Sequence, residues 1–440
     1  MEYTTETKLA LITKRAESEP KTKFTSLMHL LNAKYLRSCF KQLKRGRAAG
    51  VDGRILESYT EAEIMQAIET TIEQMKRKTY WFSPVRRVYI PKDNGKQRPL
   101  GILTVMDKVV QMACARILEA IYEPQFLSVS YGYRPKRDAH GCLKEINHMI
   151  MGKKVNWIID ADIKGYFDHV DHKQMMACLS HRISDPNFKN LIYKMLKAGI
   201  MEEGELQPSD KGTPQGGIIS PMLANIYLHY VLDTWFEVYK RQQIQGYSQL
   251  IRYADDFLIG VQHRPEAEQT LKDLKQRLNE NGLELSEEKT VIKEFGRFAV
   301  TNRKRRSGEK PETFNFLGFT HYCTQTRDSR YQVRMKTSRK KLNQTITKMN
   351  RWLKQIRNQL LIKDIWQLLM LKLKGHYNYY GVSGNFKSIN RYYRKTRALT
   401  FKWLNRRSQK KSWNWEGFAK YESSHPLPRP QLTYAIYNTW

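Results

Sequence analysis

Acidic residues are in short supply. The 440 residues hold 76 Lys and Arg against 43 Asp and Glu, a formal charge of +33. The shortage is concentrated: residues 301–410 contain 28 Lys and Arg but only Glu309, Glu312, Asp328 and Asp364 as acids. A block carrying +24 is the footprint of a polyanionic partner, nucleic acid before anionic membrane. No run of 18 apolar residues exists to span a bilayer. The start carries Glu2 and Glu6 where a targeting segment would be basic and then apolar. The five cysteines (Cys39, Cys114, Cys142, Cys178, Cys323) form no C-x-x-C pair, and the eleven histidines show no H-E-x-x-H or Cys/His spacing. That argues against a disulfide framework and a zinc site, and for a reducing, cytoplasmic setting. No repeat and no long Pro, Ser or Gly tract breaks the chain. With 40% hydrophobic residues there is material for a sizeable core.

The pattern predicts a helix over 26–45, ending at the turn signal Gly50-Val51-Asp52-Gly53, and a second helix over 60–78. Alternation at Val85–Pro91 predicts a strand, and Lys92-Asp93-Asn94-Gly95-Lys96 a basic hairpin turn. Mixed α and β texture continues to about 325, after which basic helices follow. Leu342, Ile346, Met349, Leu353, Ile356 and Leu360 step by four and three into one apolar seam, with Lys340, Lys341, Lys348 and Arg351 on other faces. The stretch Asn302–Gly308 reads as a mobile basic loop, or alternatively a localisation signal.

Three segments carry chemistry. In Leu250-Ile251-Arg252-Tyr253-Ala254-Asp255-Asp256-Phe257-Leu258, two apolar strands flank adjacent carboxylates. Such a pair at the rim of a buried sheet calls for a cation, and hard divalent ions accept oxygen ligands. The strand Trp157–Asp162 ends in acids and turns through Gly165. If it neighbours the hairpin, Asp162 faces Asp255 across the sheet spacing, and two metals can bridge them. Asp160 and Asp168 suit this less well. In Lys211-Gly212-Thr213-Pro214-Gln215-Gly216-Gly217, glycines allow close approach of a ligand to backbone before an apolar helix begins.

Taken in order and spacing, these segments resemble the reverse transcriptases encoded by bacterial group II introns, the reverse transcriptase/maturase family, over about residues 25–435. The resemblance implies an α+β right-hand polymerase, with fingers and a split βαβ, ferredoxin-like palm followed by an α-helical thumb. The implied division is an N-terminal extension and the start of the fingers over 1–80, fingers and palm over 81–325, a thumb or maturase domain over 326–405, and a short DNA-binding-like tail over 406–440 without an endonuclease. It implies RNA-directed DNA synthesis with two Mg²⁺ ions and dNTPs on an RNA template with a DNA primer or target. Binding of the parent intron RNA to promote splicing and mobility is implied as well. The alternatives are a free-standing, host-adopted reverse transcriptase serving repair or defence, and a splicing cofactor with a silent polymerase.

Residue by residue, the resemblance assigns metal ligation and catalysis to Asp162, Asp255 and Asp256, with the backbone of Ile163. It assigns nucleotide binding to Lys92, Arg98, Phe167 and Gln215, with Phe167 as the ring that blocks a 2′-hydroxyl and Arg87 as a lesser clamp. Template and primer contacts fall on Arg134, Gly216, Phe316, Leu317 and Gly318. Lys289 is either a proton donor to pyrophosphate or a structural lysine. Lys340, Lys341, Lys348 and Arg351 are assigned to RNA.

Overall fold

Local signals set most helix starts. Thr60 and Glu63 each accept the other's backbone N–H, so the helix Glu61–Lys76 begins there, as its sequence predicts. The helix expected over 26–45 is shorter. Asp185 takes the backbone N–H groups of Leu27 (2.6 Å) and Met28 (3.2 Å). Met28–Leu30 becomes a 3-10 turn, and the α-helix runs over Ala33–Lys41 behind its Asn32 cap. A carboxylate 158 positions away outweighs local helix propensity.

The computed structural model describes residues 4–91, 97–202, 205–207, 211–212, 216–306, 310–326, 328–408 and 413–437. β1 (Val85–Pro91) pairs antiparallel with β2 (Gln97–Ile102); the turn expected at 92–96 lies outside the described residues. On its other side β1 runs parallel to β4 (Ile200–Glu202), which pairs with β5 (Glu205–Gln207). The central sheet is wholly antiparallel. β3 (Trp157–Asp162) lies between β7 (Asp256–Val261) and β8 (Val291–Glu294), and β6 (Ser248–Tyr253) completes the order β6-β7-β3-β8.

Both faces of the central sheet are covered. Ile159, Ala161, Phe257 and Ile259 meet the main helical core with Val109, Leu223 and Leu274. Ile158, Ile251 and Leu258 meet a second core with Ile146, Met149, Phe314 and Phe316. Two-sided burial is why these strands read as nearly continuous apolar runs.

A third sheet, β9 (Thr313–Phe316), β10 (Phe319–Gln325) and β11 (Tyr331–Thr337), carries strand structure past residue 325, where the sequence reading expects only helices. Val333, Met335 and Thr337 alternate inward along β11. Helices Arg339–Ile356, Ile362–Tyr380, Phe386–Leu404 and Trp415–Ser424 then enclose a separate core. The expected seam supplies Leu342, Met349 and Leu353 to it, with Ile346, Ile356 and Leu360 packed alongside.

Two segments depart from expectation. The part of the supposed loop 302–308 that is described is helical, within Ala299–Arg306. Arg303 pairs with Glu312 at 2.8 Å and with Glu294, and Arg306 reaches Glu294, so acids gathered from neighbouring strands hold these bases down. Ser307 and Gly308 lie outside the described residues. The tail over 406–440, expected as a short DNA-binding-like segment, packs its last described residues onto the body. Ile436 is buried with Leu143, Phe319, Met335 and Val382. The Tyr437 hydroxyl accepts the Met335 N–H at 2.8 Å, and Tyr434 stacks on His140 at 3.8 Å.

Because Ile436 is 2% exposed, Ile436→Ala is expected to lower unfolding stability by about 2 kcal/mol. A urea midpoint equal to that of the unaltered protein would show that the tail does not hold this place in solution.

Candidate active site

Strand alternation puts Asp160 and Asp162 on one face of β3, at the end where β7 begins. Asp162 is in register with Asp256, not with Asp255 as the sequence reading expects. The reason is the turn: Tyr253 pairs with Asp256, so the hairpin closes over two residues and Asp255 stands at its tip. Ala254, the other tip residue, has φ +58°, a left-handed conformation that costs a non-glycine residue about 1–2 kcal/mol. The three carboxylates still come to one place. Asp162 and Asp256 line a cleft of about 1260 Å³, more open than the roughly 300–1,000 Å³ of small-ligand pockets.

Burial pushes the Asp255 carboxyl above its ordinary range, and the charge on Asp162 adds to the push. Asp256 is raised to about 7 by the crowding walls first and by Asp255 and Asp162 next. The outer part of Asp256 is open to the cleft, so solvent screens some of this effect. Lys289 donates to Asp162 at 2.5 Å, and that bond raises the lysine's own pKa. Asp160 also lines the cleft but already has Lys293 at 3.3 Å.

Among the described residues no three His, Cys, Asp or Glu side chains already converge as a metal cage, and Asp162 is turned to the Lys289 ammonium instead. The donor set nonetheless suits a hard divalent cation: carboxylate oxygens, unfavourably close to one another, with a lysine where cationic charge is wanted. Ile163 is buried just beyond Asp162. The bonds on either side of it, Lys164 N–H to Glu284 and Ser286 N–H to Asp162, use neighbouring carbonyls and not its own.

The other expected residues divide. Arg98 lines the cleft opposite the carboxylates. Lys92 and Gln215 lie outside the described residues. Arg87 is held by Glu202 at 3.1 Å. Phe167 is half-buried on the short helix Tyr166–His169. The glycines flanking Gln215 approach protein backbone rather than open space. A Cβ at Gly212 would fall 2.8 Å from the Phe167 carbonyl oxygen, and one at Gly216 (φ +108°) 2.6 Å from that of Gly101. The loop is thereby pinned to the Phe167 turn at one end and to β2 at the other.

Leu317 and Gly318 form the β9–β10 turn at the cleft wall, with Phe316 buried behind them. Arg134 does not reach the cleft. It is buried, paired through two nitrogens with Glu123, and donates to the carbonyls of Leu127 and Ser130, so its guanidinium is structural. Lys340 and Lys341 line the same cleft as the carboxylates, whereas Lys348 and Arg351 lie two or three turns further along their helix, away from it.

Sequence reasoning passes over Arg252, which is wholly buried and forms an ion pair at 2.6 Å with equally buried Asp233. The available signal is an arginine directly after the apolar pair Leu250-Ile251 and three positions before the carboxylate pair.

A family profile described as Reverse transcriptase (RNA-dependent DNA polymerase) matches residues 90–321. The Group II intron-encoded protein LtrA of Lactococcus lactis subsp. cremoris is 32% identical over 455 aligned residues, covering 87% of this chain and 74% of that protein. The chain belongs to the group II intron reverse transcriptase/maturase family. Protein YkfC of Escherichia coli K12 is 34% identical over 246 residues, 50% of this chain and 64% of that one. The Putative COX1/OXI3 intron 1 protein of Saccharomyces cerevisiae is 32% identical over 259 residues, 48% of this chain and 31% of that one. As a group II intron reverse transcriptase the protein is an RNA-directed DNA polymerase with the right-hand polymerase fold and a helical C-terminal region. No helix among the described residues is long and apolar enough to cross a membrane.

The raised carboxyls generate a pH-dependent prediction. Because Asp255 and Asp256 bind protons more tightly in the folded state, their contribution favours folding at low pH and is lost as pH rises, for Asp256 as pH passes about 7. A divalent ion that binds the ionised carboxylates offsets that loss. Mg²⁺ should therefore raise the melting temperature more at pH 8 than at pH 5, and Asp256→Asn should raise it at pH 8 without metal. Equal Mg²⁺ shifts at both pH values would contradict the assignment.

Proposed function

We propose that Asp162, Asp255 and Asp256 hold two Mg²⁺ ions for nucleotidyl transfer, so that the protein copies RNA into cDNA and also binds its intron RNA to promote splicing and mobility. The observation that carries this reading is that Asp162 and Asp256, register partners at the ends of neighbouring strands, share one cleft with Arg98 and the start of a basic helix, with Asp255 on the adjoining turn close enough for its charge to act on Asp256. When bound, the ions would lower the pKa of the primer 3′-hydroxyl and offset charge on the leaving phosphates.

The chain's own residues do the rest. Lys289 occupies Asp162 until a cation takes its place, then stands free to screen pyrophosphate or give it a proton. Arg98, with Lys92 beside it in sequence, grips the triphosphate. Phe167 excludes a 2′-hydroxyl, and Gln215 serves the incoming-nucleotide pocket. The division proposed is an N-terminal extension and the start of the fingers over 1–80, fingers and palm over 81–325 and a thumb from 326.

The basic helix serves two partners on this reading. Lys340 and Lys341, at the cleft, follow the template–primer duplex. Lys348 and Arg351, beyond it, are the part available to a folded intron RNA.

One paired experiment separates the activities. Asp255→Asn should lower primer extension on an RNA template by at least a thousandfold, about 4 kcal/mol in the barrier, while sparing intron binding. Lys348→Gln with Arg351→Gln should weaken intron binding and flatten its salt dependence, while extension of a short preannealed primer changes less than twofold. Near-normal cDNA synthesis by the first variant would overturn the catalytic reading. Unchanged intron affinity in the second would move the RNA contact elsewhere.

A further inference from the structure

Arg252 is among the largest side chains with no solvent exposure, and it lies in a strand whose neighbours are apolar. Its guanidinium donates to both carboxylate oxygens of Asp233, at 2.7 and 2.6 Å. It also donates to Asn225 Oδ1 and to the carbonyl of Ala254, each at 3.0 Å. The Asn225 side-chain amide donates in turn to the Gly132 carbonyl at 2.8 Å. Gly132 abuts the catalytic turn so closely that a Cβ there would fall 2.4 Å from the Ala254 nitrogen. These contacts close a ring from Arg252 through Ala254, Gly132 and Asn225 back to Arg252. The residue they enclose is the left-handed one that aims Asp255.

A buried ion pair is a poor device for stability alone, since apolar residues of like volume serve as well or better. The helix that supplies two of the partners is also unusual. Asn225 and Asp233 are eight residues apart, which in an unbroken α-helix is about 80° past two full turns. The segment His229–Asp233 is a π turn, whose wider i→i+5 winding advances fewer degrees per residue. The excess is taken up, and both side chains meet one guanidinium.

We propose that Asn225, Asp233 and Arg252 are positioning residues for nucleotide addition: acting through Ala254, they fix the direction in which Asp255 presents its carboxylate, and the π turn phases two of them onto the third. The proposal rests on the reading of Asp255 as a metal ligand. None of the three touches substrate.

Two variants test it. Asn225→Ala opens the ring but leaves the ion pair. Arg252→Met combined with Asp233→Leu removes both charges together, so that neither is stranded in the core. Primer extension is measured on an RNA template, well below each variant's melting temperature, across a Mg²⁺ titration, with primer–template affinity followed by fluorescence anisotropy. In both variants kcat should fall at least tenfold and the Mg²⁺ concentration for half-maximal rate should rise at least fivefold. The dNTP KM and primer–template Kd should change less than twofold. Variants that melt earlier yet keep the original kcat and Mg²⁺ dependence would overturn the positioning role and leave Asp255 as a ligand, as would a loss shared with KM and Kd. A fully active Asp255→Asn, run alongside, would instead remove the reading on which the proposal stands.

Discussion

Three like charges that are not free to move apart dominate this structure. Asp162 and Asp256 are register partners on adjacent strands, and Asp255 stands beside them on a two-residue turn. Covalent connection and a sheet buried on both faces prevent the strands from relaxing away from one another. The repulsion appears in the raised pKa of Asp256, to which Asp255 and Asp162 contribute after burial, and in a lysine drawn onto Asp162. Each feature around them answers the same demand: Lys293 on Asp160, Arg98 across the cleft, and a buried arginine behind the turn. Crowded carboxylates of this kind suit a hard divalent cation, and nucleotide addition is chemistry that uses such cations.

The helical region is joined to this centre by bonds that fix where its charge falls. The Asn385 side chain accepts the Thr337 N–H and donates to the Tyr380 carbonyl, both at 2.8 Å. Tyr379 donates to Leu317 at 2.9 Å, and Ser338 N–H to Gly318 at 2.9 Å. A satisfied buried polar joint of this kind sets direction as well as affinity. It ties the start of the basic helix to the β9–β10 turn, so that Arg339, Lys340 and Lys341 overlook the carboxylates. The cleft is thereby lined by basic side chains as well as by Asp160, Asp162 and Asp256, and basic walls of this kind attract polyanions.

Much of this is legible in the sequence, for reasons that are local. The acids of 157–162 and 250–261 stand out because strands buried on both faces leave few other polar residues in view, Arg252 among them. The Thr60–Glu63 cap and the seam from Leu342 to Leu353 follow from spacing alone. What escapes depends on contacts between distant positions. Nothing near Ser26 announces that Asp185 will hold Leu27, and nothing near Arg134 announces Glu123 beneath it. Register is equally hidden: whether Asp255 or Asp256 faces Asp162 turns on a two-residue turn whose left-handed member is an alanine, where asparagine or glycine would have signalled it. The packing of the tail is hidden because its proline and polar residues surround Ile436 and Tyr437, whose partners Phe319 and Met335 lie about a hundred or more positions away.

The central claim is that these carboxylates are brought together in order to share metal ions. Anomalous diffraction from Mn²⁺ in crystals of the protein with an RNA template, a DNA primer and a non-hydrolysable dNTP measures that directly. The account predicts two peaks roughly 3.5–4 Å apart, bonded to Asp162, Asp255 and Asp256, with Lys289 withdrawn from Asp162. A seated duplex and nucleotide with no metal on those three side chains would contradict it.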